Sequence, residues 1–333
     1  EASASAPDAW PAAGLAACAE RGIYEWFAPP PWGQGWSGAA IAEGYLHLAA
    51  ASLTTTFILT QITGALRRIV ESDRPELRDR VLPDLVQGKR LATLGISHLT
   101  TSRQHLGRPA LTATRGGDDF VLQGMSPWVT GAPHVDFVLT GAVLEDGQQL
   151  LILVPTDTAG LTIPPAEQLV ALTGSQTGRV EFDQVRLSAE WVVAGPGPDV
   201  MQKAAGARTG GLQTSTLALG LASAAIGFIK QQSTRRADLI HPAEQLQSSW
   251  EALAETLRVA ADGGDISKNE LRTQANSLVL RATQAALSAA KGAGFLEGHP
   301  AGRWCREALF FLVWSCPQPV VDANLCEFAG IET

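Results

Sequence analysis

The sequence predicts an α+β multidomain protein, with an N-terminal helical domain over residues 1–90, a central β-barrel or sandwich domain over 91–198 and a C-terminal antiparallel helical bundle over 199–333. Ala- and Leu-rich amphipathic stretches fill both ends of the chain, and seven short strand-like runs separated by turn residues occupy its middle. A composition 45% hydrophobic and 17% charged over 333 residues suits a large core and not a disordered chain.

In chain order, residues 10–21 read as an Ala-rich helix stopped by Gly22. Pro29-Pro30-Pro31-Trp32-Gly33-Gln34-Gly35 must be a loop, since its prolines and glycines suit neither helix nor ladder. Ser37 is placed to cap the next helix, which runs through Glu43 and His47 to about Leu53. A further helix reaches about Glu71, and a short one covers 76–86, with Pro83 near its end. From Leu91 the texture changes. Strand-like runs cover 94–97, 110–114, 120–124, 137–142, 149–154, 161–163 and 178–187, and Gly195-Pro196-Gly197-Pro198 closes the block. Helices follow over 211–235, 242–261, 267–290, 300–315 and 320–328, joined by short loops as in a bundle. Ala and Gly at their contact positions allow close packing.

The net charge of −8 and pI of about 5.3 argue against nucleic acid as the main partner. Cys18, Cys305, Cys316 and Cys326 show neither metal-ligand nor redox-pair spacing, so reduced, buried thiols are expected. The first seven residues lack the basic and apolar regions of a signal peptide, and apolar runs such as 217–229 fall short of a membrane span. A soluble cytoplasmic protein is the expectation. Nine tryptophans accompany two tyrosines. Trp26, Trp32, Trp36, Trp304 and Trp314 either line an apolar ligand pocket or pack helices on the β-module. The apolar run 310–314 suits a buried helix or a subunit interface, and such bundles commonly pair as symmetric dimers.

The stretch with chemical promise is 120–132. It alternates as a half-buried strand should, then places Trp128 with Thr130 two residues on, sharing a face if the chain is extended. An indole beside a hydroxyl can seat a flat cofactor with a heteroatom edge, and a core Trp beside a β-favouring Thr gives the same letters.

The order helices, β-module, bundle, together with several motifs, resembles the acyl-CoA dehydrogenase family of flavoproteins. Gly124 with Trp128-Val129-Thr130, and then 172–187, match the family's β-module. Arg236-x-x-Leu239-Ile240, Gln247, Gly292-Ala293-Gly294-Phe295 and Pro300-Ala301-Gly302-Arg303-Trp304-Cys305-Arg306-Glu307-Ala308 match its bundle. The resemblance implies FAD, with Trp128 and Thr130 against the isoalloxazine and the Thr130 hydroxyl near N5. It implies that Arg236 reaches the FAD diphosphate of a neighbouring subunit, with Arg235 the alternative, and that Gln247 and Gly292 help hold the dinucleotide end. Homo-oligomers, dimers or dimers of dimers, follow from the same likeness, as does an acyl-CoA or another apolar small molecule as substrate.

The likeness also shows departures. The family's catalytic Glu falls at Ser315 by one count and at Gly210 by the other, and neither is a carboxylate. Glu307 and Asp322 lie too far along for a one-residue slip. The flavin loop falls on His98-Leu99-Thr100-Thr101-Ser102-Arg103-Gln104-His105, without the family's Pro, Gly and Ser, and Gln104 remains as a cofactor-binding candidate. His98 or His105 is the candidate base, because imidazole titrates near neutrality, although a loop histidine bonded to a carbonyl reads the same. Three functions stay open: a dehydrogenase with an unusual base, a flavin monooxygenase on this fold, and a non-catalytic scaffold or partner subunit.

Overall fold

The structure is a computed structural model describing residues 9–100, 109–198, 200–203 and 210–331. Its helices are α1 (Ala12–Glu20), α2 (Gly38–Ala51), α3 (Leu53–Val70), α4 (Pro75–Val86), the single turns α5 (Ser97–Thr100) and α6 (Val200–Lys203), α7 (Gly210–Ser233), α8 (Ile240–Ala261), α9 (Lys268–Ala290), α10 (Pro300–Ala308), α11 (Phe310–Val313) and α12 (Gln318–Ala329). Gly22 ends the first helical segment in the left-handed region at φ +67°, and Ser37 caps α2 by accepting from the Ala40 amide at 3.2 Å.

Eight strands form one mixed sheet: β1 (Ala92–Gly95), β2 (Leu111–Gly116), β3 (Asp119–Val129), β4 (Phe137–Leu144), β5 (Gln149–Pro155), β6 (Leu161–Thr162), β7 (Gly178–Ser188) and β8 (Val192–Gly197). Their order is β6-β7-β3-β2-β4-β5-β8, with β1 also on β4; β1 and β2 run parallel to β4, and the remaining pairs are antiparallel. The central domain is thus a mixed sheet and not a sequence-expected set of seven strands. The eighth strand, β8, contains Pro196, which a sequence reading takes for a linker; it stands at the end of the sheet path, where a missing amide donor is tolerated. Leu150 to Val154 of β5 are fully buried, which explains their unbroken apolar run.

Two compact units emerge. One comprises the residues through Trp36, Ile58–Leu169 and the chain from Thr173 through β8, so it holds α1, α4, most of α3 and the whole sheet. Its core joins Leu111, Phe120, Leu122, Val138, Ile152, Val180 and Phe182. The loop of prolines closes on itself: Trp26 stacks on Trp36 with centroids 4.2 Å apart, and the Trp36 indole N–H donates to Gln34 at 2.8 Å. These rings are used in packing one another, not in lining a pocket.

The other unit comprises Ser37–Phe57, Val170–Leu172 and the C-terminal helices, so α2 groups with the bundle. A Cβ at Gly220 of α7 would lie 2.6 Å from that of Ala49, and one at Gly38 would lie 2.3 Å from the Ala261 carbonyl, so small residues set how closely α2 meets α7 and α8. Trp314 packs edge-on to Phe57 and stacks with Phe310, and Trp304 meets Phe228. The segment Leu212–Ser233 is long and apolar enough to cross a membrane, contrary to the reading of shorter runs, but 72% of that window is buried, as befits the central helix of a bundle. All four cysteines are free; Cys18 is buried and the other three are half-buried.

Candidate functional site

The first unit's candidate site is the end of β3. Phe120 and Leu122 point inward, and then Gly124 adopts φ +126°. A Cβ there would lie 2.2 Å from the Ala110 carbonyl, so only glycine fits. The register with β7 shifts at Gly124 and again between Ser126 and Val129. At this second irregularity Trp128 takes φ +55°, a conformation costly for a bulky residue.

Surrounding hydroxyls fix this backbone. Ser97 donates to the Pro127 carbonyl at 2.8 Å, and Thr93 donates to the Thr130 carbonyl at 2.7 Å. The buried hydroxyls of Ser126 and Thr140 both donate to the Gly95 carbonyl, at 2.8 and 2.7 Å. Three of these bonds, from Ser97, Thr93 and Ser126, hold the backbone on either side of Trp128, the fourth from Thr140 holds the Gly95 carbonyl, and the indole is left 51% exposed. The sequence marks these clamps only faintly, as Ser and Thr at positions that otherwise read as apolar strand.

Thr130 does not share that face. The extended chain assumed from the sequence is interrupted by the left-handed residue, so Thr130 turns inward and is 1% exposed. Its hydroxyl bonds that of Thr177 at 3.0 Å, which in turn bonds that of Ser175 at 2.8 Å. Trp128 therefore offers an exposed flat ring, while the Thr130 hydroxyl is engaged within the protein.

His98 is bound in the same neighbourhood. Its Nε2 lies 2.7 Å from the Gly141 carbonyl, which can only accept, so Nε2 carries the proton. Nδ1 is buried without a partner among the described residues. Burial holds the imidazole below its ordinary pKa, opposed in part by the bond to Gly141, so the ring is neutral near pH 7. This is the histidine-to-carbonyl arrangement, and neither nitrogen faces outward as a base would. Gln104 and His105 lie outside the described residues.

The remaining candidates belong to the second unit. Arg236 donates from Nη1 to the Ala289 carbonyl at the end of α9 and from Nη2 to Asp238, both at 2.8 Å. That hydrogen bond holds the Asp238 carboxyl below its ordinary range, and Asp238 in turn offsets the charge available to a phosphate. Arg235 is exposed. Gln247 donates to Glu251 along α8 at 2.8 Å, and Gly292 is open, with nothing near where a Cβ would lie. Gly210 begins α7, and Ser315 follows α11 at φ +44°.

Glu307 is the group that sequence reasoning passed over. It is 5% exposed, and burial pushes its carboxyl up to about 7, with Arg303 at 3.6 Å and Arg306 opposing the shift. The signal was its place on the buried stripe of Ala301, Ala308 and Phe311. Enclosed in this way, it does not present a base to a ligand.

Residues 94–185, which include Ser97, His98, Trp128 and Thr130, match the family model described as acyl-CoA dehydrogenase, middle domain. The fold is acyl-CoA dehydrogenase-like. It is 26% identical over 185 residues to the probable acyl-CoA dehydrogenase YngJ of Bacillus subtilis, covering 54% of this chain and 48% of that protein, so the match spans about half that relative's length. It is 24% identical over 314 residues to the probable acyl-CoA dehydrogenase fadE25 of Mycobacterium tuberculosis, covering 82% of this chain and 79% of the other. The glutaryl-coenzyme A dehydrogenase solved with glutaryl-CoA has the same fold, with a TM-score of 0.81 over 98% of this chain and 89% of that one at 18% identity. The acyl-CoA dehydrogenase-like architecture of helical parts before and after a central mixed sheet is thereby shown.

Proposed function

We propose that this acyl-CoA dehydrogenase-like chain is a flavoprotein oxidoreductase that binds FAD and oxidises an acyl thioester or a similar substrate. The observation that carries the reading is Trp128, a flat apolar ring held half-exposed on a strained backbone that hydroxyl bonds from Ser97, Thr93 and Ser126 maintain. Such strain persists only where its surroundings enforce it, and it collects at ligand sites. The indole would stack on the isoalloxazine. When bound, FAD would supply the acceptor for a hydride. Ser97, Ser126 and Thr93 would keep the indole in place, and Arg236 or Arg235 of a second copy would meet the diphosphate.

A second reading is supported by the absence of a base at the expected positions. Ser315 and Gly210 carry no carboxylate, and His98 has its Nε2 on the Gly141 carbonyl and its Nδ1 buried. Removing a carbon-bound proton needs a group in its basic form within reach of that proton. A flavin monooxygenase needs no such carboxylate, and a non-catalytic partner subunit needs none either.

The visible spectrum of the purified protein incubated with FAD and desalted tests both readings. Retained flavin bands, lost in Trp128→Ala, support the seat; a colourless protein after incubation with FAD or FMN leaves only the scaffold. Bleaching by acyl-CoA without oxygen uptake supports the dehydrogenase, and oxygen uptake driven by added reduced flavin supports the monooxygenase.

A further inference from the structure

The interior of the second unit holds a positive charge that no carboxylate answers. Arg272 of α9 is 1% exposed, and no Asp or Glu among the described residues lies within ion-pair distance of it. Its Nη2 donates to the carbonyls of Phe311 and Trp314, at 2.9 and 3.1 Å. Its Nε and Nη1 are buried and have no partner among the described residues.

Uncommitted polar atoms accompany it. One turn along α9, Asn276 is fully buried and donates to the same Phe311 carbonyl at 3.1 Å, while its Oδ1 has no partner. On α12, which packs against α9, Asn324 is 3% exposed with neither amide atom bonded. Cys316 is the titratable neighbour that acts on Arg272, but burial raises its thiol pKa, so it is not a thiolate at neutral pH. The guanidinium itself, brought down by burial to about 10, stays charged there. Carbonyls at the end of a helix offset only part of a unit charge, and a buried ion without a counter-charge is strongly unfavourable.

We infer that Arg272 is the anchor of a buried binding site for a small monovalent anion of chloride size, which supplies the missing counter-charge and accepts from the free guanidinium N–H groups. Both free nitrogens are buried, which favours the smallest anions over carboxylates and phosphates. The anion would also steady the carbonyls of Phe311 and Trp314, and with them the turn that sets Ser315. The inference is independent of flavin binding.

Crystals of the full chain grown in sodium bromide test it by anomalous scattering. A bromide peak in contact with the Arg272 guanidinium is expected, whereas a water or no density in its place overturns the site. In parallel, Tm is followed as bromide replaces gluconate at constant ionic strength. The wild type should gain several degrees as the site saturates. Asn276→Asp places a fixed carboxylate one turn from Arg272 and gives up the bond to the Phe311 carbonyl, which Arg272 still holds, so this variant should fold and show neither the gain nor the peak. An equal bromide response in the two proteins would mean a general salt effect and would sink the proposal. Arg272→Met, if it folds, should behave as Asn276→Asp does.

Discussion

The hydroxyl of Ser97 donates to the carbonyl of Pro127 at 2.8 Å, tying the one-turn helix α5 to the residue just before the left-handed Trp128. The bond joins the segment that begins the altered flavin loop to the indole proposed to carry the ring. Ser97→Ala should lower stability by roughly 1 kcal/mol, the usual worth of a part-buried hydrogen bond, and should loosen flavin retention. Urea unfolding and the flavin content after gel filtration measure the two effects.

Trp128→Gly separates strain from recognition. Glycine accepts φ +55° without penalty, so relief of the backbone offsets the lost packing and the midpoint of unfolding should move little. Flavin affinity should nevertheless fall by about tenfold or more, since the stacking surface is gone. A parallel loss of folding and binding would show that the indole is merely structural.

Gly124→Ala meets both a backbone conformation foreign to alanine, at φ +126°, and the Ala110 carbonyl at 2.2 Å. A destabilisation of about 3 kcal/mol or more is expected, and it should appear as a lower denaturation midpoint with the same fold by circular dichroism. Full stability in this variant would contradict the described path of β3.

Glu307 gives the chain a pH dependence of definite sign. Burial raises its folded pKa from the ordinary 4.5 to about 7, so the folded state favours the protonated form. Its contribution is fully present below pH 4.5 and is lost as the pH rises through 7. Glu307→Gln should therefore be more stable than the wild type at pH 8, by on the order of 1–3 kcal/mol, with the difference vanishing below about pH 5. Chemical denaturation of both proteins from pH 4.5 to 8 provides the comparison.

Restoring a carboxylate by Ser315→Glu tests whether the frame still supports thioester chemistry. Flavin-loaded Ser315→Glu should be bleached by an acyl-CoA faster than the wild type, if a carboxylate at this position is what the chain lacks. No bleaching in either protein would favour the oxygen-dependent or scaffold reading.

Much of the fold was legible because it rests on local rules. Ser37 signalled a cap, Gly22 a stop, and the Ala-rich periodicity of 267–290 a helix, and each was found where these rules placed it. Less legible was anything that depends on distant neighbours. Pro196 disguised β8 because an edge strand tolerates what a central one does not. The shared face of Trp128 and Thr130 failed because period-two alternation assumes an unbroken strand, and the hydroxyls that hold the irregular backbone come from Thr93 and Ser97, far off in sequence. Glu307 was weighed only by its distance along the chain, and its burial depends on neighbours the motif does not reveal. The carboxylate of Asp238 on the Arg236 guanidinium could not be read from the motif either.

The two ends of the sheet path bear on how copies of this chain can meet. At one end β6 is two residues long, and at the other β8 is interrupted by Pro196. Neither offers the long row of free amides and carbonyls on which a foreign strand could template. Strand addition at these two end strands is thereby disfavoured as a route by which copies of this chain associate.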